Sequence, residues 1–150
     1  WLSTLGLPEK LTADRTYYVR VDGSDSNTGL VNSAGGAFLT IQKAVDTALT
    51  LNCNKFKVTI NLGNGTYTAG IRLIGRLRNA YDSANRPFQI IGDSVTPANV
   101  VISTTSNTAL TLWDAGLYLE GVTLQTTTGG YGMLVGPHAS KEEIEKFRER

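Results

Sequence analysis

The chain has 150 residues, 41% hydrophobic, 18% charged and 8% aromatic, with a formal net charge of +1. This suits one globular domain and is too short for a second with its own core, and so even a charge excludes a nucleic-acid binder that relies on bulk positive potential. One cysteine, Cys53, excludes an intrachain disulfide and a cysteine-rich zinc site.

No apolar run reaches the roughly 20 residues of a membrane-spanning helix, and no charged, apolar, cleavable leader is visible. Trp1 at the first position is expected of a piece cut from something longer. Residues 1–16 read as an irregular lead-in with apolar anchors at Trp1, Leu2, Leu5, Leu7 and Leu11. Period-two alternation predicts a strand over Tyr17–Val21, with Tyr17, Val19 and Val21 on one face. It runs into Asp22-Gly23-Ser24-Asp25-Ser26-Asn27-Thr28-Gly29. There Asx side chains satisfy their own backbone and glycines supply positive φ. Asp22, Asp25 and Asn27 offer oxygens that suit calcium, but their spacing is not that of an EF-hand and no bidentate Glu follows. Turn chemistry is the better account of them.

Residues 39–51 are predicted as a helix, because Ile41, Ala44, Val45, Ala48 and Leu49 fall at i, i+3, i+4, i+7 and i+8. Thr40 is its expected cap, Asn52 and Asn54 its end, and Cys53 a small, partly buried filler.

After Lys55 only strands are expected: Val58–Leu62, a turn at Gly63-Asn64-Gly65, Ile71–Leu73, a polar arginine-bearing loop over 75–86, Phe88–Ile90, Val100–Ile102, Ala109–Trp113, Leu117–Leu119 and Val122–Leu124. The inward pair Ile60/Leu62 recurs as Phe88/Ile90 after 28 residues and as Leu117/Leu119 after 29 more. Ile71/Leu73 recurs as Val100/Ile102 after 29, and Met133/Val135 follows at a looser interval. A shared period of this size is the mark of a solenoid, in which each turn of chain buries its inward residues by stacking on the next, about 4.8 Å away. The length holds about two and a half to three such turns, near the minimum for stability. The plainer alternative is a non-repeating all-β domain in which short apolar pairs coincide.

Tyr17-Tyr18-Val19, the run Asp22 to Gly29, Phe38 with Thr40-Ile41-Gln42-Lys43-Ala44, and Gly65-Thr66-Tyr67 together resemble the beginning of right-handed parallel β-helix proteins of the pectin-lyase-like class. Within that class the chain is most similar to phage tail-spike and tail-fibre proteins, and residues 17–136 fit. The resemblance implies an all-β solenoid, a short right-handed parallel β-helix with an N-terminal capping α-helix, located in a virion tail or outside the cell. It implies little about activity, because such folds host lyases, hydrolases, adhesins and inert spikes.

The chain departs from the class after Gly136. Eight of its 27 charged residues fall in the last ten positions. Ser140 and Glu143 form an S-x-x-E capping box, strong helix formers follow, and Ile144 and Phe147 give one narrow apolar face. The expected division is a β-helix domain over 1–136 and a C-terminal helical cap over 137–150. Such a cap would hide strand edges that otherwise template aggregation. An engineered cap on a truncated β-helix, a natural terminal helix and a solvated tail all fit the composition.

Glycoside chemistry needs two carboxyls about 5 to 9.5 Å apart. The acids of the strand region are Asp82, Asp93, Asp114 and Glu120, of which Asp93 and Asp114 read as turn residues and Glu120 as outward-facing. His138 is the one histidine, with no serine or cysteine motif to serve. No catalytic, cofactor-binding or metal-binding set is therefore assigned. The most suggestive surface is the arginine-bearing loop. Arg76, Arg78, Tyr81 and Arg86 join guanidinium forks to an aromatic ring, a set that suits an anionic glycan, whereas a plain solvated loop is the ordinary alternative.

Two functions follow as expectations. One is a structural segment of a phage tail or extracellular fibre, a scaffold or receptor-binding shaft with surface polysaccharide as partner. The other is the first part of a polysaccharide lyase or glycoside hydrolase whose active site lay on further turns. Outward Thr, Asn, Gln and Tyr favour the first. Neither nucleic acid nor membrane is an expected partner; a homotrimeric parent and a monomeric piece are.

Overall fold

The computed structural model describes residues 6–80 and 87–136. Ten strands and one helix follow in order: β1 (Arg15–Val19), α1 (Ile41–Leu49), β2 (Val58–Leu62), β3 (Gly65–Tyr67), β4 (Ile71–Ile74), β5 (Phe88–Ile91), β6 (Val100–Thr104), β7 (Leu110–Trp113), β8 (Tyr118–Glu120), β9 (Thr123–Thr126) and β10 (Met133–Val135). They form three sheets, ordered β1-β2-β5-β8, β3-β6-β9 and β4-β7-β10, and every pairing between them is parallel. From β2 onward each strand joins a different sheet from the one before, and the cycle runs three times. Three tiers result: β2-β3-β4, β5-β6-β7 and β8-β9-β10.

Alternation decides which side chains face inward. Val58, Ile60 and Leu62 are buried while Thr59 and Asn61 are half-exposed, and Val100, Ile102 and Thr104 repeat the pattern. Register then stacks like on like: Tyr17, Ile60, Ile90 and Leu119 in the first sheet, Tyr67, Ile102 and Leu124 in the second, Leu73, Leu112 and Val135 in the third. Burying one such aliphatic side chain contributes roughly 1.5–3 kcal/mol, and these stacks are the core.

Several expectations shift in detail. Ile60 aligns with Ile90 and Val58 with Phe88, so the first repeat is offset by two residues, a slip that leaves the same face inward. Ile71/Leu73 does not stack on Val100/Ile102. Ile71 and Leu73 meet Leu110 and Leu112, whereas Ile102 meets Tyr67 in a different sheet. The cause is β3, a short strand where the sequence suggests a turn running on from Gly63-Asn64-Gly65. The first strand lies two residues earlier than expected. Val21 is exposed because pairing ends where the Gly63 N–H bonds the Val19 carbonyl and the chain turns at Gly23.

The helix is shorter than 39–51, ending at Leu49 with Thr50 as its C-terminal cap. Thr40 caps its start as expected, its hydroxyl accepting from the Lys43 N–H at 3.3 Å. Ile41, Ala44, Val45 and Ala48 are buried, and the helix packs against β1, β2 and β4. Cys53, just beyond, is fully buried, and burial pushes its thiol pKa up.

The two ends of the sheets differ. At the first end the free edge of β1 is covered: Phe38 N–H donates to Tyr18 O and Arg20 N–H to Phe38 O, both at 2.9 Å. The edge of β4 is met by a side chain from α1. Gln42 Oε1 accepts from the Arg72 N–H at 2.7 Å and Gln42 Nε2 donates to the Arg72 carbonyl at 2.9 Å, as a neighbouring strand would. At the far end β8, β9 and β10 are each last in their sheet. Their inward residues Leu119, Leu124, Met133 and Val135 are half-buried, where Ile90, Ile102, Leu110 and Leu112 one tier back are buried. The expected C-terminal helix, with His138, Ile144 and Phe147, lies outside the described residues.

Candidate functional site

The outer face of the sheet β10-β7-β4 is built by the same alternation that buries its inner face. Because Ile71, Leu73, Leu110 and Leu112 point inward, Arg72, Ile74, Thr111 and Trp113 point outward. Register sets them in two rows: Arg72, Thr111 and Leu134, then Ile74, Trp113 and the position of Gly136. Three large apolar side chains are left in solvent there: Ile74 and Trp113 at 50% exposure and Leu134 at 44%.

Gly136 makes room for the indole. A Cβ at that position would overlap Cε3, Cδ2 and Cζ3 of Trp113, so the ring takes the space a side chain there would need. The Gly136 N–H donates to the Leu112 carbonyl at 2.7 Å and holds this backbone against β7.

Beyond the strands both chains turn through left-handed residues, Gly75 at φ 86° and Asp114 at φ 49°, while the Gly75 N–H donates to the Trp113 carbonyl at 2.9 Å. That brings Arg76 beside Asp114, with Nε 3.8 Å from Oδ1, both side chains about half exposed. Leu77 is buried and anchors the loop, so Arg76 and Arg78 flank it in solvent. The Arg78 carbonyl accepts from the Cys53 N–H at 2.9 Å, which fixes its backbone to the segment after α1.

Of the four residues read as a glycan site, Arg76 therefore stands at the rim of the Trp113 face, and Arg78 is exposed two residues on. Tyr81 and Arg86 lie outside the described residues. Sequence reading missed Ile74, Trp113 and Leu134, although period-two counting from Leu110 and Leu112 already puts Trp113 on the outer side. The face is a flat apolar surface carrying an aromatic ring and edged by the guanidinium groups of Arg72 and Arg76 with one carboxylate, Asp114.

The other acidic groups serve local structure. Asp93 accepts from the Val95 and Thr96 N–H groups and from Asn99 Nδ2; the Thr96 bond chiefly, with Asn99, holds its pKa below the ordinary carboxylate range. Glu120 accepts from the Tyr118 hydroxyl at 2.5 Å. Asp25 Oδ1 accepts from the Leu39 and Thr40 N–H groups, both at 2.9 Å, and Oδ2 from the Thr40 hydroxyl at 2.7 Å. Asp22 pairs with Arg20, and Asn27 Nδ2 donates to the Ala34 and Ala37 carbonyls. Of the three residues weighed as calcium ligands, Asp25 thus bonds the backbone and hydroxyl at the start of α1, Asp22 bonds Arg20, and Asn27 acts through its amide nitrogen. Asp82 lies outside the described residues.

Compared with protein-family models, with curated proteins and with solved structures, the chain gives no match.

Proposed function

We propose that the chain is a short right-handed parallel β-helix of the pectin-lyase-like kind, serving as a structural segment of a virion-tail or other extracellular fibre. In this reading it is a scaffold and binding shaft without catalytic work of its own. The observation that supports it most is the cycle of nine strands, β2 to β10, through three all-parallel sheets, which runs three times with apolar residues stacked in register. Parallel strands need crossover connections, and from β2 onward strands of the other two sheets lie in them, whereas α1 lies in the crossover from β1 to β2.

The partner proposed is a surface polysaccharide carrying anionic groups. The C–H face of a sugar ring matches the half-exposed indole of Trp113, with Ile74 and Leu134 beside it, and a carboxylate or sulfate on the sugar matches Arg72 and Arg76. Arg78, exposed two residues after Arg76, extends the basic rim, and Tyr81 and Arg86 follow in the sequence.

A panel of acidic and neutral polysaccharides tests the proposal, read by titration calorimetry and by the length of the polymer afterwards. Binding of acidic polymers is expected, with W113A at least about tenfold weaker, ~1.4 kcal/mol. Equal binding by W113A would remove the face from the reading. Shortening of any polymer would replace the scaffold with the alternative, a piece of a polysaccharide lyase or glycoside hydrolase. Mass in solution reports whether the chain is the monomer proposed or assembles as a trimer.

A further inference from the structure

The turn after Trp113 calls for a residue that tolerates a left-handed backbone, and Asp114 takes it at φ 49°. Asn and Gly suit that conformation at least as well, so the turn itself does not ask for a charge. Nor does the carboxylate hold the backbone around it. Asp25 and Asp93 each accept from two backbone N–H groups and one side chain. Among the described residues Asp114 has Arg76 as its ionic partner and no backbone donor, and the 3.8 Å separation is beyond hydrogen-bond reach. Its side chain is 56% exposed. A charge that neither the turn nor the backbone requires stands directly after the exposed indole.

The outer face carries its charges at two ends. Arg72 is level with Thr111, and Ile74 with Trp113, so Asp114 follows three positions beyond Arg72, about 10 Å along the strands. The indole lies between them. Next to Arg72, Asp46 accepts at 2.8 Å from Gln42 Nε2, the same nitrogen that bonds the Arg72 carbonyl. Two carboxylates thus border two guanidinium groups, with Arg78 beyond, on a chain whose net charge is +1. Such a border does not favour a polyanion. A polymer charged on every sugar gains at Arg72 and loses at Asp114 through like-charge repulsion. A polymer whose acidic sugars alternate with uncharged ones avoids that loss. Its anion meets Arg72, a ring covers Trp113, and a hydroxyl of the uncharged sugar donates to Asp114.

We infer that Asp114 is the specificity-determining residue of the Trp113 face, selecting a polysaccharide whose carboxylates are spaced by uncharged, hydroxyl-bearing sugars. This rests on the polysaccharide reading above and narrows its partner from acidic polymers at large to sparsely charged ones.

Two polymers with the same acidic group separate the cases: hyaluronan, with a carboxylate on alternate sugars, and polygalacturonate, with one on every sugar. Each is titrated calorimetrically into the unaltered chain and into D114N, which keeps the side chain's shape and suits the turn. D114N should bind polygalacturonate about fivefold more tightly, the size of one like-charge contact at about 4 Å in water, and hyaluronan no more tightly. Comparing variants polymer by polymer cancels what each polymer contributes by itself. The fivefold gain should fade as added salt screens the contact, which a change of shape would not do. D114G, which also suits the turn, should give the same pattern.

An equal gain for both polymers in D114N would overturn the inference, since Asp114 would then set overall charge and not spacing. A shift in only one of D114N and D114G would overturn it too, because the turn would be responsible. If W113A weakens binding while D114N and D114G match the unaltered chain, the polysaccharide reading stands and this inference falls. No binding of either polymer by the unaltered chain would overturn both.

Discussion

At the scale of single residues, the turn-rich run after β1 is held by side chains rather than by apolar packing. Asp25 is its centre. Burial pushes its carboxyl pKa up, but the Thr40 hydroxyl and the Thr40 and Leu39 N–H groups outweigh that, and the net value lies below the ordinary one. A carboxylate whose folded pKa is depressed stabilises the fold above its unfolded pKa, and that contribution disappears as pH falls through the folded value. D25A should therefore cost about 1–2 kcal/mol at neutral pH, the magnitude of lost charge-assisted hydrogen bonds to backbone. In urea unfolding the gap between D25A and the unaltered protein should narrow as pH drops below the usual Asp range. A gap constant with pH would mean that Asp25 acts through shape and not through charge. Tyr67 shows the converse. Burial pushes its phenol up to about 12, and its hydroxyl donates to the Gly63 carbonyl at 2.7 Å.

At the scale of elements, much of the fold was legible because alternation and helical periodicity are set by local burial. The stripe Ile41, Ala44, Val45, Ala48 located α1, and Val58, Ile60 and Leu62 located β2 with its inward face. Register between tiers was harder to read. Ile71/Leu73 and Val100/Ile102 share a spacing that matches the first sheet, yet β3 intervenes and sends them to separate sheets. A three-residue strand with one buried side chain, Tyr67, leaves no periodic trace to count. The candidate site was legible in part for the opposite reason. Arginines advertise themselves in sequence, while an outward tryptophan looks like core until its strand neighbours are assigned to the inside. Gln42 escaped notice because its role is to bond the backbone of a residue thirty positions away. Q42A should raise the amide hydrogen-exchange rate of Arg72 and lower stability by about 1 kcal/mol, leaving the rest of α1 protected. Unchanged exchange at Arg72 would show that the packing of α1, without this amide, closes the β4 edge.

At the scale of the whole molecule, stacked partners are joined by very unequal lengths of chain. The separation runs from 22 residues, Val101 with Thr123, to 43, Arg15 with Val58. The strands keep their places while the connections between them lengthen or shorten, so the stack is specified by inward side chains and not by a fixed count of residues. The same parallel pairing has a kinetic consequence. No two paired strands among those described are joined by a tight turn, so no hairpin can zip first and serve as a seed. A productive contact must close a long loop before any stacking rewards it, and chains of this kind fold on the order of milliseconds to seconds. Stopped-flow refolding monitored at Trp113 should fall in that range, and a microsecond phase that recovers the native signal would contradict it. The parallel stack is thus completed slowly, and its strand edges stand open in the meantime.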